Sequence, residues 1–154
     1  MCGSPTTTAA RDTAREMSQK NVELVRRAFE VFSREGPAGV ISRGFWSPEI
    51  VWDASRSGLP GHGVYRGYDE ATSYFEDDWF QAFPLEEWEV VVEELIDNGD
   101  QVIAMSRQRG RGATAGVAAE LELAVICDLR DGLIVRIETY LDRAKALEAA
   151  GLSE

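Results

Sequence analysis

Histidine occurs once in this 154-residue chain, at His62, and cysteine only twice, at Cys2 and Cys127. A single imidazole excludes multi-histidine metal sites, and any His-based triad or relay would depend on this one ring. Two cysteines, one near the terminus and one in an apolar run, build neither a disulfide framework nor a zinc site, so neither metal nor cofactor is expected. Long hydrophobic runs are missing too. Apolar stretches end after a few residues, far short of the roughly 20 that span a bilayer, and no signal-peptide core follows Met1. No run of basic residues occurs either. Twenty-seven Asp and Glu against 16 Lys and Arg leave a net charge of -11, a field that repels nucleic-acid phosphates and anionic lipid surfaces. The expectation is a cytoplasmic protein with no nucleic-acid partner and no membrane partner.

What is present reads as one domain of ordinary size. Residues 1–17, rich in Thr, Ala, Ser and Gly without apolar period, are expected to form a disordered lead, and 18–152 the folded domain. Met17 is itself a candidate initiator, since Ser18 behind it can cap a helix. Val22, Val25, Ala28, Phe29 and Phe32 then recur at spacings of three and four, the mark of an amphipathic helix ending at Gly36-Pro37. A second, shorter helix is expected from Pro37 to about Trp46, stopped by Ser47-Pro48, and a third from Tyr68 to Ala82 with an aromatic inner stripe. The strand signals are Glu49 to Ala54, Trp88 to Ile96, Val102 to Arg109, Ala118 to Leu129 and Leu133 to Leu141, with turns at Asp97-Asn98-Gly99-Asp100 and Arg130-Asp131-Gly132. Asp142 is placed to cap a short C-terminal helix. Helices first and a strand meander after them define an α+β fold, with a curved antiparallel sheet packed on its helices and room for a cavity between the layers.

The residue with most chemical interest is Asp53. On the first strand, period-2 alternation puts Val51, Asp53 and Ser55 on one face and Ile50, Trp52 and Ala54 on the other, and the strand reads with Asp53 pointing inward beside Val51. A buried carboxylate needs a donor, such as Arg56, a Tyr, a Trp or water, or a raised pKa, so Asp53 reads either as a hydrogen-bonding group held by a neighbour or loop backbone or as a candidate general base. His62, between glycines in a turn-rich loop, is the natural acid-base helper if it reaches the pocket. Tyr65, Tyr74 and Trp79 are expected in the core or the pocket wall, where their polar tips need partners and can serve a ligand. Leu121, Leu123, Val125 and Cys127 should face inward on the fourth long strand segment, and Val135, Ile137, Thr139 and Leu141 on the last. Arg107, Arg109 and Arg111 are expected to pair with Glu on adjacent strands. Trp52, Ile126, Ile134 and Tyr140 are expected on the outer sheet face, where they would suit contact with a second copy.

The element order, together with Asn21-Val22-Glu23-Leu24-Val25-Arg26-Arg27-Ala28-Phe29, Tyr65-Arg66-Gly67, Val92-Glu93-Glu94-Leu95-Ile96-Asp97 and Leu129-Arg130-Asp131-Gly132-Leu133-Ile134-Val135-Arg136, resembles the SnoaL-like, polyketide-cyclase-like family of the nuclear transport factor 2-like superfamily. The resemblance covers about Ser18 to Leu152. It implies a cone-shaped barrel of a curved antiparallel sheet wrapped around three N-terminal helices, with a short C-terminal helix, commonly dimeric through the sheet. The superfamily holds ketosteroid isomerase, aromatic polyketide cyclases, epoxide hydrolases and members that only bind, so the fold leaves the activity open. Asp53 falls where isomerase-like members keep their base. The isomerase's helix-one Tyr is replaced by Ala28 and Phe29, and the mid-strand acid or His by Leu123, Ala124 and Val125. The epoxide-hydrolase acids would fall near Arg107-Gln108-Arg109 and Thr139, where neither is present.

The resulting expectation is a small-molecule pocket protein. One form is an isomerase or cyclase moving a proton on a hydrophobic carbonyl compound, with Asp53 and His62 catalytic and Tyr65, Tyr74, Trp79, Val125 and Thr139 lining the site. The other is a non-catalytic ligand-binding or dimeric module.

Overall fold

The computed structural model describes residues 5–57, 63–111 and 118–152. His62 and the loop joining the two longest strands lie outside the described residues.

The first element, α1 (Pro5–Ser42), is long and broken once. It begins inside the stretch expected as an unstructured lead. Val25 and Ala28 are buried, with Val22, Phe29 and Phe32 packed beside them, so the three-and-four spacing marks the buried face as expected. Gly36 takes φ 72°, a left-handed value that favours glycine, and Pro37 restarts the helix at a position where its missing N–H costs nothing. In place of three N-terminal helices there is one long, kinked helix and a short one further on.

Strand β1 (Trp46–Asp53) starts earlier than the sequence signals. Ser47-Pro48, read as a helix stop, lies inside it, and an irregularity in pairing between Trp46 and Val51 accommodates the proline. A three-residue edge strand, β2 (Val64–Arg66), was not anticipated. Helix α2 (Gly67–Ser73) carries Asp69 and Glu70 in its first turn, where acids suit the positive helix end. It runs on as a π-helical segment, Tyr74–Trp79, and a last turn, α3 (Phe80–Ala82). The wider π turn puts Tyr74, Phe75 and Trp79 all on the buried side.

The remaining strands are β3 (Glu89–Asn98), β4 (Gln101–Arg111), β5 (Ala118–Arg130) and β6 (Leu133–Tyr140), followed by α4 (Arg143–Ala149). Asp142 caps α4 by accepting from the Lys145 N–H at 3.3 Å, as its position implied. The sheet order is β2-β1-β6-β5-β4-β3. All pairs are antiparallel except β1 with β6, which is parallel. The curved sheet is therefore mixed rather than antiparallel, because its first strand meets its last in the same direction.

One face of the sheet packs on α1, α2 and the π segment through Ile50, Val102, Ala104, Leu123, Val125 and Ile137. On the other face, Ile103, Met105, Ala124, Ile126 and Tyr140 are covered by Ala146 and Leu147 of α4. Edge strand β3 is tied to α1 where Ser33 Oγ accepts the Val90 N–H at 3.2 Å. Arg107 reaches Glu93, Glu120 and Glu122 at 3.2–3.5 Å, and Arg109 reaches Glu89 at 3.0 Å, the cross-strand pairing expected of them.

Close approach at the end of β4 depends on Gly110, where an added Cβ would lie 2.3 Å from Cε3 of Trp88. Gly110→Ala should therefore lower stability by about 1–3 kcal/mol in denaturant unfolding, with a shift in tryptophan fluorescence as the Trp88 ring is displaced. Unchanged stability and emission would show that Trp88 does not need this contact.

Candidate functional site

Between the helices and the inner sheet face lies a cavity of about 60 Å³, walled by aromatic rings and aliphatic side chains. Trp52 comes from β1, Tyr74 and Trp79 from the π segment, Val125 from β5, and Thr139 from β6. Ring contacts hold the wall together. Phe75 meets both Phe32 and Trp52 edge-on at 4.8 Å between centroids, and Tyr65 stacks on Tyr74 at 4.6 Å. Tyr74, Trp79, Val125 and Thr139 line the cavity, while Tyr65 supports Tyr74 from β2 and does not itself line it.

Asp53 does not face this cavity. In the parallel ladder Trp52 lies opposite Ile137 and Asp53 opposite Glu138, so Trp52 and Ala54 turn to the cavity and Asp53 turns to the other face. The inward assignment of Asp53 is corrected for that reason: both faces of β1 carry apolar residues, and alternation alone cannot tell which face is the inner one. Asp53 is 6% exposed. Its Oδ2 accepts from Arg136 at 2.8 Å, and its Oδ1 accepts the Ser55 N–H at 3.0 Å and the Ser55 hydroxyl. Arg136 also donates through Nε to Glu138 at 2.9 Å, and Glu138 accepts the Tyr140 hydroxyl at 2.9 Å. Burial pushes the Asp53 carboxyl up, but the Ser55 donors, Arg136 and Arg56 outweigh it and hold the group below its ordinary value. It is a charged structural anchor.

The residues expected to offer a face to a second copy are also accounted for. Trp52 and Ile134 line the cavity, and Ile126 and Tyr140 pack beneath α4. Ile134 faces inward because pairing skips Val135, with Asp128 opposite Arg136 and Leu129 opposite Ile134. Trp52, Trp88 and Gln108 are wall residues that the sequence reading missed. Gln108 Oε1 accepts the Trp88 indole N–H at 3.0 Å, joining the ends of β3 and β4 inside the wall.

Two ionisable groups line the cavity among the described residues. Tyr74 is pushed up to about 12 by burial, then by Tyr65 and Asp78, and Cys127 to about 12 by burial, then by Asp128. Both stay neutral across the physiological range. Among the described residues no carboxylate, imidazole, lysine or arginine lines the cavity, and no group of three or more potential metal ligands gathers anywhere.

A helix-backed curved sheet with an aromatic cavity on its inner face defines an NTF2-like pocket fold. The chain matches the SnoaL-like domain over residues 25–137, more than half its length, and belongs to that family. Among solved structures, an NTF2-like protein of unknown function from Burkholderia pseudomallei is 21% identical with a TM-score of 0.65, covering 84% of this chain and 95% of its own. A proposed SnoaL-like polyketide cyclase from Jannaschia gives 21% and 0.65, covering 88% and 94%. TerC, co-crystallised with polyporic acid, gives 20% and 0.64, covering 86% and 98%. At these identities the likeness shows the fold. No curated protein matches the sequence. No helix among the described residues is long and apolar enough to cross a membrane.

The Asp53–Arg136 pair should be a stability element. Arg136→Met leaves a buried carboxylate without its cation and should cost about 1–3 kcal/mol in urea unfolding near neutral pH. With its folded pKa lowered, Asp53 contributes stability that is present above the unfolded carboxylate value and lost as pH falls through the folded one. The penalty of Arg136→Met should therefore shrink in acid. A penalty that is absent at neutral pH, or that grows on acidification, would contradict this assignment.

Proposed function

We propose that the protein binds a neutral, largely apolar small molecule in the aromatic cavity and does not use Asp53 as a general base. The observation that carries this reading is the opposite facing of Trp52 and Asp53 on β1: the indole enters the cavity wall while the carboxylate is held by Arg136 on the other side. Proton abstraction needs the base within hydrogen-bond reach of the substrate, and Asp53 has the sheet between it and the cavity. The second expected catalytic residue, His62, lies outside the described residues. An isomerase or cyclase of the kind the family contains would have to draw its base from there. The non-catalytic alternative needs only what the cavity wall supplies: apolar area, ring faces and a few hydrogen-bonding groups. TerC, co-crystallised with polyporic acid, and a Catenulispora acidiphila protein with a ketosteroid isomerase-like fold, in complex with trimethylamine, support small-molecule binding by this fold.

Thermal unfolding with a panel of neutral one- and two-ring compounds tests the reading. A bound compound at a hundred times its Kd stabilises the protein by about 2.7 kcal/mol, and Asp53→Asn should retain the ligand affinity. Ketones from the panel incubated in deuterium oxide should keep their α-protons. Exchange that is fast in the wild type and lost in Asp53→Asn would restore Asp53 as a base and overturn the proposal.

A further inference from the structure

Two polar atoms at the cavity wall have no hydrogen-bond partner although both are buried: Nε1 of Trp52 and Oγ1 of Thr139. Thr139 is 2% exposed. Native interiors keep few such groups, because an unpaired buried donor has given up water for nothing. Gln108, another polar wall residue, differs in being engaged, accepting from Trp88 at 3.0 Å.

Both unpaired groups belong to neighbouring strands and to one face. Trp52 lies opposite Ile137, and Thr139 is the next inward residue of β6. With a rise of about 3.3 Å per residue and strands about 4.8 Å apart, their Cα atoms are roughly 8 Å apart. The Trp52 ring is fixed by edge-on packing against Phe75 at 4.8 Å, so its N–H is aimed by packing. A cavity of about 60 Å³ holds about two waters at liquid density, so a ring compound displaces them and spreads the wall side chains as it enters.

Resting on the binding reading above, we infer that Trp52 and Thr139 are the polar anchors of the ligand. The ligand is a neutral compound of one or two rings that presents an acceptor oxygen, carbonyl or ether, to the indole N–H. Trp52 can only donate, so the ligand must supply the acceptor there; Thr139 can donate or accept and tolerates either. Carboxylates are disfavoured because no cation lines the cavity among the described residues, and ammonium ions because no carboxylate does.

Calorimetry with indanone and indane, which share a bicyclic skeleton and differ in the carbonyl, tests the assignment in the wild type, Trp52→Phe and Thr139→Val. The wild type should bind indanone about tenfold more tightly than indane. Trp52→Phe should bring that ratio close to one with indane affinity retained, and Thr139→Val should reduce it severalfold. In the wild type, the Trp52 indole N–H resonance should move downfield with indanone and not with indane, a readout that stands even if a variant fails to fold. Equal binding of the two compounds, or a ratio unchanged in both variants, overturns the anchors and leaves the apolar pocket standing. Failure of both compounds to bind overturns the anchors and the pocket reading together.

Discussion

The parallel pairing of β1 with β6 is the constraint on which the rest depends. It joins the first long strand to the last, closes the sheet's order around β5 and β4, and fixes which side chains of β1 enter the cavity. A shift of one residue would exchange Trp52 for Asp53 at the wall and bring a carboxylate among aromatic rings. The Arg136–Asp53 ion pair, reinforced by Ser55 on one side and by Glu138 and Tyr140 on the other, opposes that shift from the far face. A charge pair in this position sets register as well as adding stability, since a slipped strand would leave the Asp53 carboxylate without its cation.

The chemical character of the cavity follows from that register. With Asp53 turned away, Tyr74 and Cys127 are the titratable wall groups among the described residues, and burial keeps both protonated. Aromatic rings from α1, β1 and the π segment supply area, and Trp52 and Thr139 supply unmet hydrogen bonds. The superfamily fold accommodates acid-base catalysts as well as binders, and the difference between them lies in a few side chains rather than in the architecture. The family resemblance implies polar partners near Ala28, Phe29 and Val125 in the isomerases and cyclases, and here these three apolar residues line the cavity.

Local patterns were legible in the sequence, and pairings across the fold were not. The apolar stripe of α1, the Leu123-Val125-Cys127 face of β5, the Asp131-Gly132 turn and the Asp142 cap each depend on neighbours close in the chain. The facing of β1 depends on its partner 83 residues away, where Arg136 meets Asp53. Val51 and Trp52 are both apolar, so alternation offers two equivalent facings, and the inward facing of Asp53 is not the one the fold adopts. A usable signal exists: with Ile137 and Thr139 inward on the last strand, Arg136 and Glu138 fall on its outer face, and an acid on an adjacent strand is drawn to the arginine. The inward turn of Ile134 escaped because one skipped residue, Val135, reverses the alternation. The π segment likewise has no sequence signature separate from an aromatic helix.

The most direct test is a carbon NMR titration of the Asp53 carboxyl with and without a ligand filling the cavity. A midpoint below the ordinary aspartate value, unmoved by ligand and raised by Arg136→Met, is the outcome the paired outer-face carboxylate requires. A midpoint raised well above the ordinary value, and shifted when ligand binds, would place Asp53 in the cavity and contradict the account.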